Sequence, residues 1–269
     1  MIGQKKNLEM IDKWIATGCP QFICISGYRG GGKRMLAKYI ADKLGMTCSD
    51  VGIKVDDIRE TIDSAIKFGG FYVIADADTM SSNAKNAMLK ITEEPPKNAY
   101  FVLTVEDESS LLDTIKSRAQ MIRLEPYTEK ELLEYYCGHL GADVTNPYVQ
   151  NIVSIATTPL EVKMLLDYGQ DFIDYVNLVI DNIRDVEPAN AFKSAGKLAL
   201  KNEEDKYDLS LFFSAVCSLC SDRLRQDYKN SLFAKIIVAT CKYTTRVGKL
   251  GINKPQLYDS WVFEVRSIE

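Results

Sequence analysis

The run Gly27-Tyr28-Arg29-Gly30-Gly31-Gly32-Lys33 has the residue types and spacing of a phosphate loop, G-x-x-x-x-G-K. Glycines let the backbone curl until successive N–H groups face one anion. A helix starting beyond the last glycine adds the positive end of its dipole, and Lys33 adds a point charge. The chemistry this serves is phosphate binding. Hydrolysis asks for more. A hydrolytic loop continues with Ser or Thr, whose hydroxyl ligates Mg²⁺. Here the next residue is Arg34, a permanent cation that cannot ligate a metal and would repel one if it pointed inward. Either Arg34 turns away and nucleotide binds with a poorer metal site, or the loop stays empty.

A second strand should bring an Asp for Mg²⁺ to the same place, usually followed by a Glu that positions water. The sequence there is Ile74-Ala75-Asp76-Ala77-Asp78. If the pair falls on Ala75-Asp76, the metal carboxylate is missing. If it falls on Asp76-Ala77, the water-orienting carboxylate is missing. Two defects at two points of one site argue against robust ATP hydrolysis in cis. Helix capping and turn formation are the plainer roles for Asp76 and Asp78.

The elements that must position these residues follow from pattern. Phe22–Ile25 and Phe71–Ala75 are short, continuously apolar runs, as expected for strands buried on both faces. Tyr100–Val105 reads as a third strand and Met121–Leu124 as a fourth. Between them lie helical patterns over Leu8–Thr17, Lys33–Leu44, Asp56–Phe68 and Ser82–Thr92, the last stopped by Pro95-Pro96. Such alternation predicts an α/β fold with a parallel sheet. From Pro126 the pattern is helical. Thr128-x-x-Glu131 is a capping box, and Asn146-Pro147 and Thr158-Pro159 read as helix starts. Breaks fall near Glu187-Pro188, Asn202 and Gly248, and Trp261–Val265 is read as a strand. The organisation is an α/β core over 1–124, a small helical lid over 125–170 and an all-α C-terminal domain over 171–269.

Composition sets limits. The 269 residues are 46% hydrophobic and 26% charged, which excludes disorder and fibre. Thirty-three Lys and Arg against 37 Asp and Glu give a net charge of −4, less basic than a standalone DNA-coating protein. No apolar run reaches the ~18–20 residues of a membrane span, and the first residues do not read as a signal segment, so a cytoplasmic location without membrane contact is expected. Seven scattered cysteines form no disulfide framework. The one close pair, Cys217-x-x-Cys220, sits in a helical pattern and reads as core. The single histidine, His139, leaves little room for His-based chemistry.

Other stretches carry a specific resemblance. They are Ile2-Gly3-Gln4, the phosphate loop, Val55-Asp56-Asp57-Ile58-Arg59 and Ala77-Asp78-Thr79-Met80. Asn86-Ala87-Met88-Leu89-Lys90-Ile91-Thr92-Glu93-Glu94-Pro95-Pro96 and Leu112-Asp113-Thr114-Ile115-Lys116-Ser117-Arg118 complete the set. Together they resemble the bacterial clamp-loader AAA+ group, the gamma/tau and delta prime subunits of DNA polymerase III. The resemblance implies an AAA+ P-loop core, a helical lid and an all-α collar that packs against partner subunits. It implies that Ser117-Arg118 is the family's Ser-Arg-Cys element, with Ala119 in place of Cys. Arg118 would then reach a neighbour's γ-phosphate as an arginine finger. Thr104 occupies the family's sensor position, with a structural role as the alternative. The lid's sensor arginine falls on Leu160, and the four-cysteine zinc module is reduced to Cys48, so no zinc is expected. These losses favour a delta prime-like role: ATP or ADP bound weakly or not at all, and no metal. Partners would be gamma/tau-like and delta-like subunits and, through the complex, the sliding clamp and primer–template DNA. Any DNA contact would be by backbone charge, with Lys85 and Lys90 as candidates. The alternatives are an active AAA+ ATPase of another DNA pathway and a scaffold that binds no nucleotide.

Overall fold

Phe22-Ile23-Cys24-Ile25-Ser26 is buried at every position because alternate side chains enter different cores. Phe22 and Cys24 pack with Ile58, Ile62, Met88 and Ile91, whereas Ile23 and Ile25 pack with Ile11, Leu36 and Ile40. A strand covered by helices on both faces must be apolar throughout. The computed structural model describes residues 3–140, 147–183, 207–229, 231–247 and 253–268. The chain divides into two compact units, Met1–Glu134 with Thr158–Leu160, and Tyr135–Thr157 with Glu161–Glu269.

The first unit is an α/β sandwich. Strands β1 (Phe22–Ser26), β2 (Cys48–Val51), β3 (Gly70–Ile74), β4 (Ala99–Val105) and β5 (Gln120–Arg123) form one parallel sheet in the order β2-β3-β4-β1-β5. Helices α1 (Lys5–Thr17) and α2 (Lys33–Lys43) cover one face. Helices α3 (Val55–Phe68), α4 (Ser82–Glu93) and the short α5 (Asp113–Lys116) cover the other. The four expected strands are present to within a residue or two. β2 was not expected, because Cys-Ser-Asp-Val shows neither an apolar run nor alternation. It is an edge strand paired only with β3, so half-exposed polar residues are tolerated there.

The later helices are α6 (Glu129–Leu140), α7 (Pro147–Ile155), α8 (Pro159–Tyr168), α9 (Gln170–Asn182), α10 (Leu209–Gln226), α11 (Ser231–Val247) and α12 (Lys254–Arg266). The capping box closes both ways: Thr128 N–H donates to Glu131 Oε2 (2.8 Å), and Glu131 N–H donates to Thr128 Oγ1 (3.3 Å). The strand read at Trp261–Val265 is a correction, since these residues lie in α12. Leu257, Tyr258, Trp261, Val262 and Val265 are the buried set, a helical stripe disguised by bulky side chains of high strand propensity. Asn253 caps this helix by accepting from Gln256 N–H (3.2 Å). Trp261 is the hub of the second unit's core. It stacks edge-on to Phe212 (5.5 Å between centroids) and its Nε1–H donates to Thr240 Oγ1 (3.0 Å), so the buried indole N–H is satisfied. Phe172, Ile173, Val176, Phe213 and Ile236 are buried as core residues, Ile237 is half-buried, and Leu178 is exposed. Cys220 is buried and Cys217 partly so, and burial pushes both thiols up to about 12. The expected breaks at Glu187-Pro188, Asn202 and Gly248, the Asn146 helix start, Ile2 and the side chain of His139 lie outside the described residues.

Candidate functional site

In an open parallel sheet, ligands bind beyond the carboxyl ends of the strands, where the strand order reverses. Here that place is the end of β1, which lies between β4 and β5. The chain leaves β1 at Ser26 and enters the glycine loop directly. Gly27 N–H donates to Val105 O (3.1 Å) and Gly31 N–H to Tyr28 O (3.1 Å), so two loop amides are committed internally. Gly30 and Gly32 have φ of +76° and +94°. Gly30 is also required for space: a Cβ there would lie 2.4 Å from Leu160 Cβ and 3.0 Å from Thr158 Oγ1. Gly32 then caps α2.

Lys33 is buried, and its ammonium is turned onto its own loop. Nζ donates to Gly27 O (2.7 Å) and Tyr28 O (3.1 Å), with Glu106 Oε1 at 3.9 Å. Burial lowers the Lys33 pKa, and the carboxylates of Glu106, Asp76 and Asp78 partly offset this. Tyr127 Oη donates to Gly31 O (2.9 Å) from the other side. Tyr28 and Arg29 are exposed. Arg34 turns away: its Nη2 donates to Asp50 Oδ1 of β2 (2.6 Å), with both side chains mostly in solvent.

The strand ends bring further groups around the loop. Asp76 is exposed with φ +52°, and its N–H donates to Thr104 Oγ1 (3.2 Å), so the buried Thr104 ties the end of β4 to that of β3. Asp78 Oδ2 accepts from Glu106 N–H (3.4 Å), and its buried Oδ1 has no hydrogen-bond partner. Glu108 accepts from Ser26 Oγ (2.5 Å) and, bidentate, from Arg123 Nε and Nη2 (both 2.8 Å). Arg123 and Ser26 together hold the Glu108 carboxyl below its usual pKa. Glu106, Glu108, Leu124 and Tyr127 were not anticipated as neighbours of the loop. A signal existed: each follows the carboxyl end of β4 or β5, and in a parallel sheet those ends converge on one site.

Arg118 lies elsewhere. It precedes β5, whereas the loop follows β1, and the two strands run in register from Ile23↔Gln120 to Ser26↔Arg123. Four residues of strand, about 13 Å at ~3.3 Å each, therefore separate Arg118 from the loop of the same chain, before turns are added. The Arg118 side chain is 37% exposed. Its Nη1 donates to Thr114 O (3.1 Å) and its Nη2 to Glu93 Oε1 (3.0 Å). Ser117 is exposed, and its Oγ donates to Thr114 O (3.2 Å). Of the two lysines considered for DNA contact, Lys90 is exposed but Lys85 is not available. Lys85 is buried, with Nζ donating to Ser110 O (2.7 Å) and Asp78 O (3.2 Å). It pins α4 to two loops, a use of lysine that amphipathic spacing does not reveal.

Among the described residues, no group of three or more His, Cys, Asp or Glu is placed to hold a metal ion, and no helix is long and apolar enough to cross a membrane.

Residues 30–128, which include most of this site, match the family described as DNA polymerase III, delta subunit. Over these residues the P-loop core of this chain is similar to the DNA polymerase III clamp-loader subunits. The DNA polymerase III subunit delta' of Bacillus subtilis (strain 168) is 44% identical over 103 residues, covering 38% of this chain and 30% of the relative. The DNA polymerase III subunit gamma of Buchnera aphidicola subsp. Schizaphis graminum is 29% identical over 170 residues, covering 50% and 47%. The chain thus spans less than half the length of either relative. Solved structures agree on the fold. A gamma subunit-related protein from Thermotoga maritima superposes with a TM-score of 0.50 at 17% identity, covering 96% of this chain and 98% of that one. The RuvB Holliday junction branch migration motor of Thermotoga maritima gives 0.53 at 17% identity, covering 83% and 78%.

Proposed function

We propose that this chain is a delta prime-like clamp-loader subunit, a ring member that donates Arg118 to a neighbouring ATPase and turns over little or no ATP itself. The observation that carries the reading is the placement of Arg118 at the opposite end of the strands from its own phosphate loop, exposed and charged. It cannot serve the loop of its own chain, but it can serve one on an adjacent subunit, where a planar permanent cation stabilises charge on a transferring phosphoryl group. Support comes from the loop. The donor set of Lys33 and glycine amides suits phosphate, but Arg34 supplies no magnesium ligand and points to Asp50. Lys33 is satisfied by its own carbonyls, and Leu160, at the family's sensor arginine position, presses on Gly30. ATP or ADP is accordingly bound weakly or not at all. The partners are gamma/tau-like and delta-like subunits, with the sliding clamp and primed DNA reached through the complex.

The test mixes this chain with a gamma-type ATPase in the presence of primed DNA and clamp. Wild type raises the partner's hydrolysis, and Arg118→Ala abolishes the rise. Equal rates with both proteins remove the finger. Vigorous turnover by the chain alone, sensitive to Lys33→Ala, would replace this reading with that of an ATPase acting in cis.

A further inference from the structure

The Glu93-Glu94-Pro95-Pro96 run is the most distinctive stretch of the core, and nothing so far gives it a task. Its physical effect is to stop α4 at a fixed residue. Pro cannot continue a helix and forces the residue before it out of helical geometry; Glu94 sits at φ −132°, ψ 79°. Glu93 is therefore the last residue of α4. The helix carrying it is locked to α5 by the packing of Met88 and Ile91 with Ile115. Ile115 O in turn accepts from Arg118 N–H (3.2 Å) and Ala119 N–H (2.9 Å), which fixes the backbone under the arginine. The side chain is then gripped twice, by Thr114 O on Nη1 and by the Glu93 carboxylate on Nη2.

We infer that Glu93 is the positioning residue of Arg118, holding the guanidinium in the orientation that an adjacent subunit's triphosphate meets. The inference rests on the finger reading above. A guanidinium has five N–H donors, and these two contacts use two of them, leaving three for phosphate oxygens. The carboxylate is itself more than half exposed. An exposed ion pair of that kind contributes little to stability, so it orients the arginine without competing strongly against a triphosphate. What it removes is rotamer freedom in a long side chain, and small losses of alignment cost rate.

The experiment uses the full chain with a gamma-type ATPase, primed DNA and clamp, and compares Glu93→Ala, Glu93→Gln and Arg118→Ala. Glu93→Ala should lower the kcat of the stimulated partner about 5- to 10-fold with its KM for ATP changed less than about twofold, because alignment is lost and binding is not. Glu93→Gln should restore most of the rate, since its amide oxygen still accepts from Nη2. The Arg118 Nε–Hε resonance of the isolated chain should lose order in Glu93→Ala and keep it in Glu93→Gln. The melting temperature should move by no more than a few degrees in either variant. Wild-type stimulation by Glu93→Ala, or an equal fall in Glu93→Gln, overturns the positioning role while leaving the finger intact. An unchanged rate with Arg118→Ala removes the finger and this role with it.

Discussion

The two ends of the β1–β5 strand pair use their cations in opposite ways. At the carboxyl end, Lys33 is buried, bonded to two carbonyls of its own loop and ringed by Asp76, Asp78 and Glu106. At the amino end, Arg118 is exposed, with donors to spare. One cation is turned inward onto its own backbone, and the other faces outward. The glycine loop is also part of the packing: a Cβ on Gly27 or Gly30 would overlap Leu124 or Leu160, and Tyr127 donates to Gly31 O.

Breaking the outward end should give the largest effect. Under the proposed finger role, Arg118→Ala should cost on the order of 10³-fold in hydrolysis at the neighbouring site, the lower range for arginine fingers, with no measurable change in the melting temperature of the isolated chain. The contrast is sharpened by Gly30→Ala, which attacks the inward end. It forces a side chain into φ +76° and onto Leu160, and the combined strain and overlap should destabilise the fold by roughly 2–4 kcal/mol in urea unfolding. Stimulation of the partner should survive in whatever fraction remains folded. A smaller effect is expected from Lys33→Met. The carbonyl of Gly27 loses its lysine partner while that of Tyr28 keeps the Gly31 N–H, at about 1–3 kcal/mol, and the stimulated rate per folded molecule stays at the wild-type level. A fall in that rate would mean the cradle takes part after all.

The smallest effect concerns acid. The Glu108 pKa is depressed by Arg123 and Ser26, so the folded state binds this proton more weakly than the unfolded chain does. The stability it contributes is complete above its ordinary value of 4.5 and is lost as pH falls through the lowered one. Glu108→Gln should flatten the acid limb of the stability profile below about pH 4.5 and leave neutral activity unchanged.

Much of this was legible in residue order. The buried strands declared themselves because a strand covered on both faces is apolar at every position, as Phe22–Ile25 and Tyr100–Val105 are. The phosphate loop, the capping box at Thr128 and the stop at Pro95-Pro96 are local devices, and local devices leave local signatures. β2 escaped because an edge strand needs no apolar pattern, and α12 was misread because Trp, Val and Phe favour strands while their spacing belongs to a helix. Lys85 looked like a surface cation because the pattern shows which face a residue is on and not which carbonyls lie beneath it.

Residue types and spacing alone therefore determined that a glycine loop with G-x-x-x-x-G-K spacing is present, that position 34 carries no hydroxyl, and that the core is a parallel α/β sheet. Tertiary structure decided the rest: that Arg34 leaves the site for Asp50, that Lys33 folds back on its own loop, and that Arg118 stands at the far end of the strands beside Glu93. The reason is one of range. Covalent spacing governs neighbours within a turn or a strand. Which groups meet across a sheet depends on strand order and register, and these are settled only when the two cores on either side close.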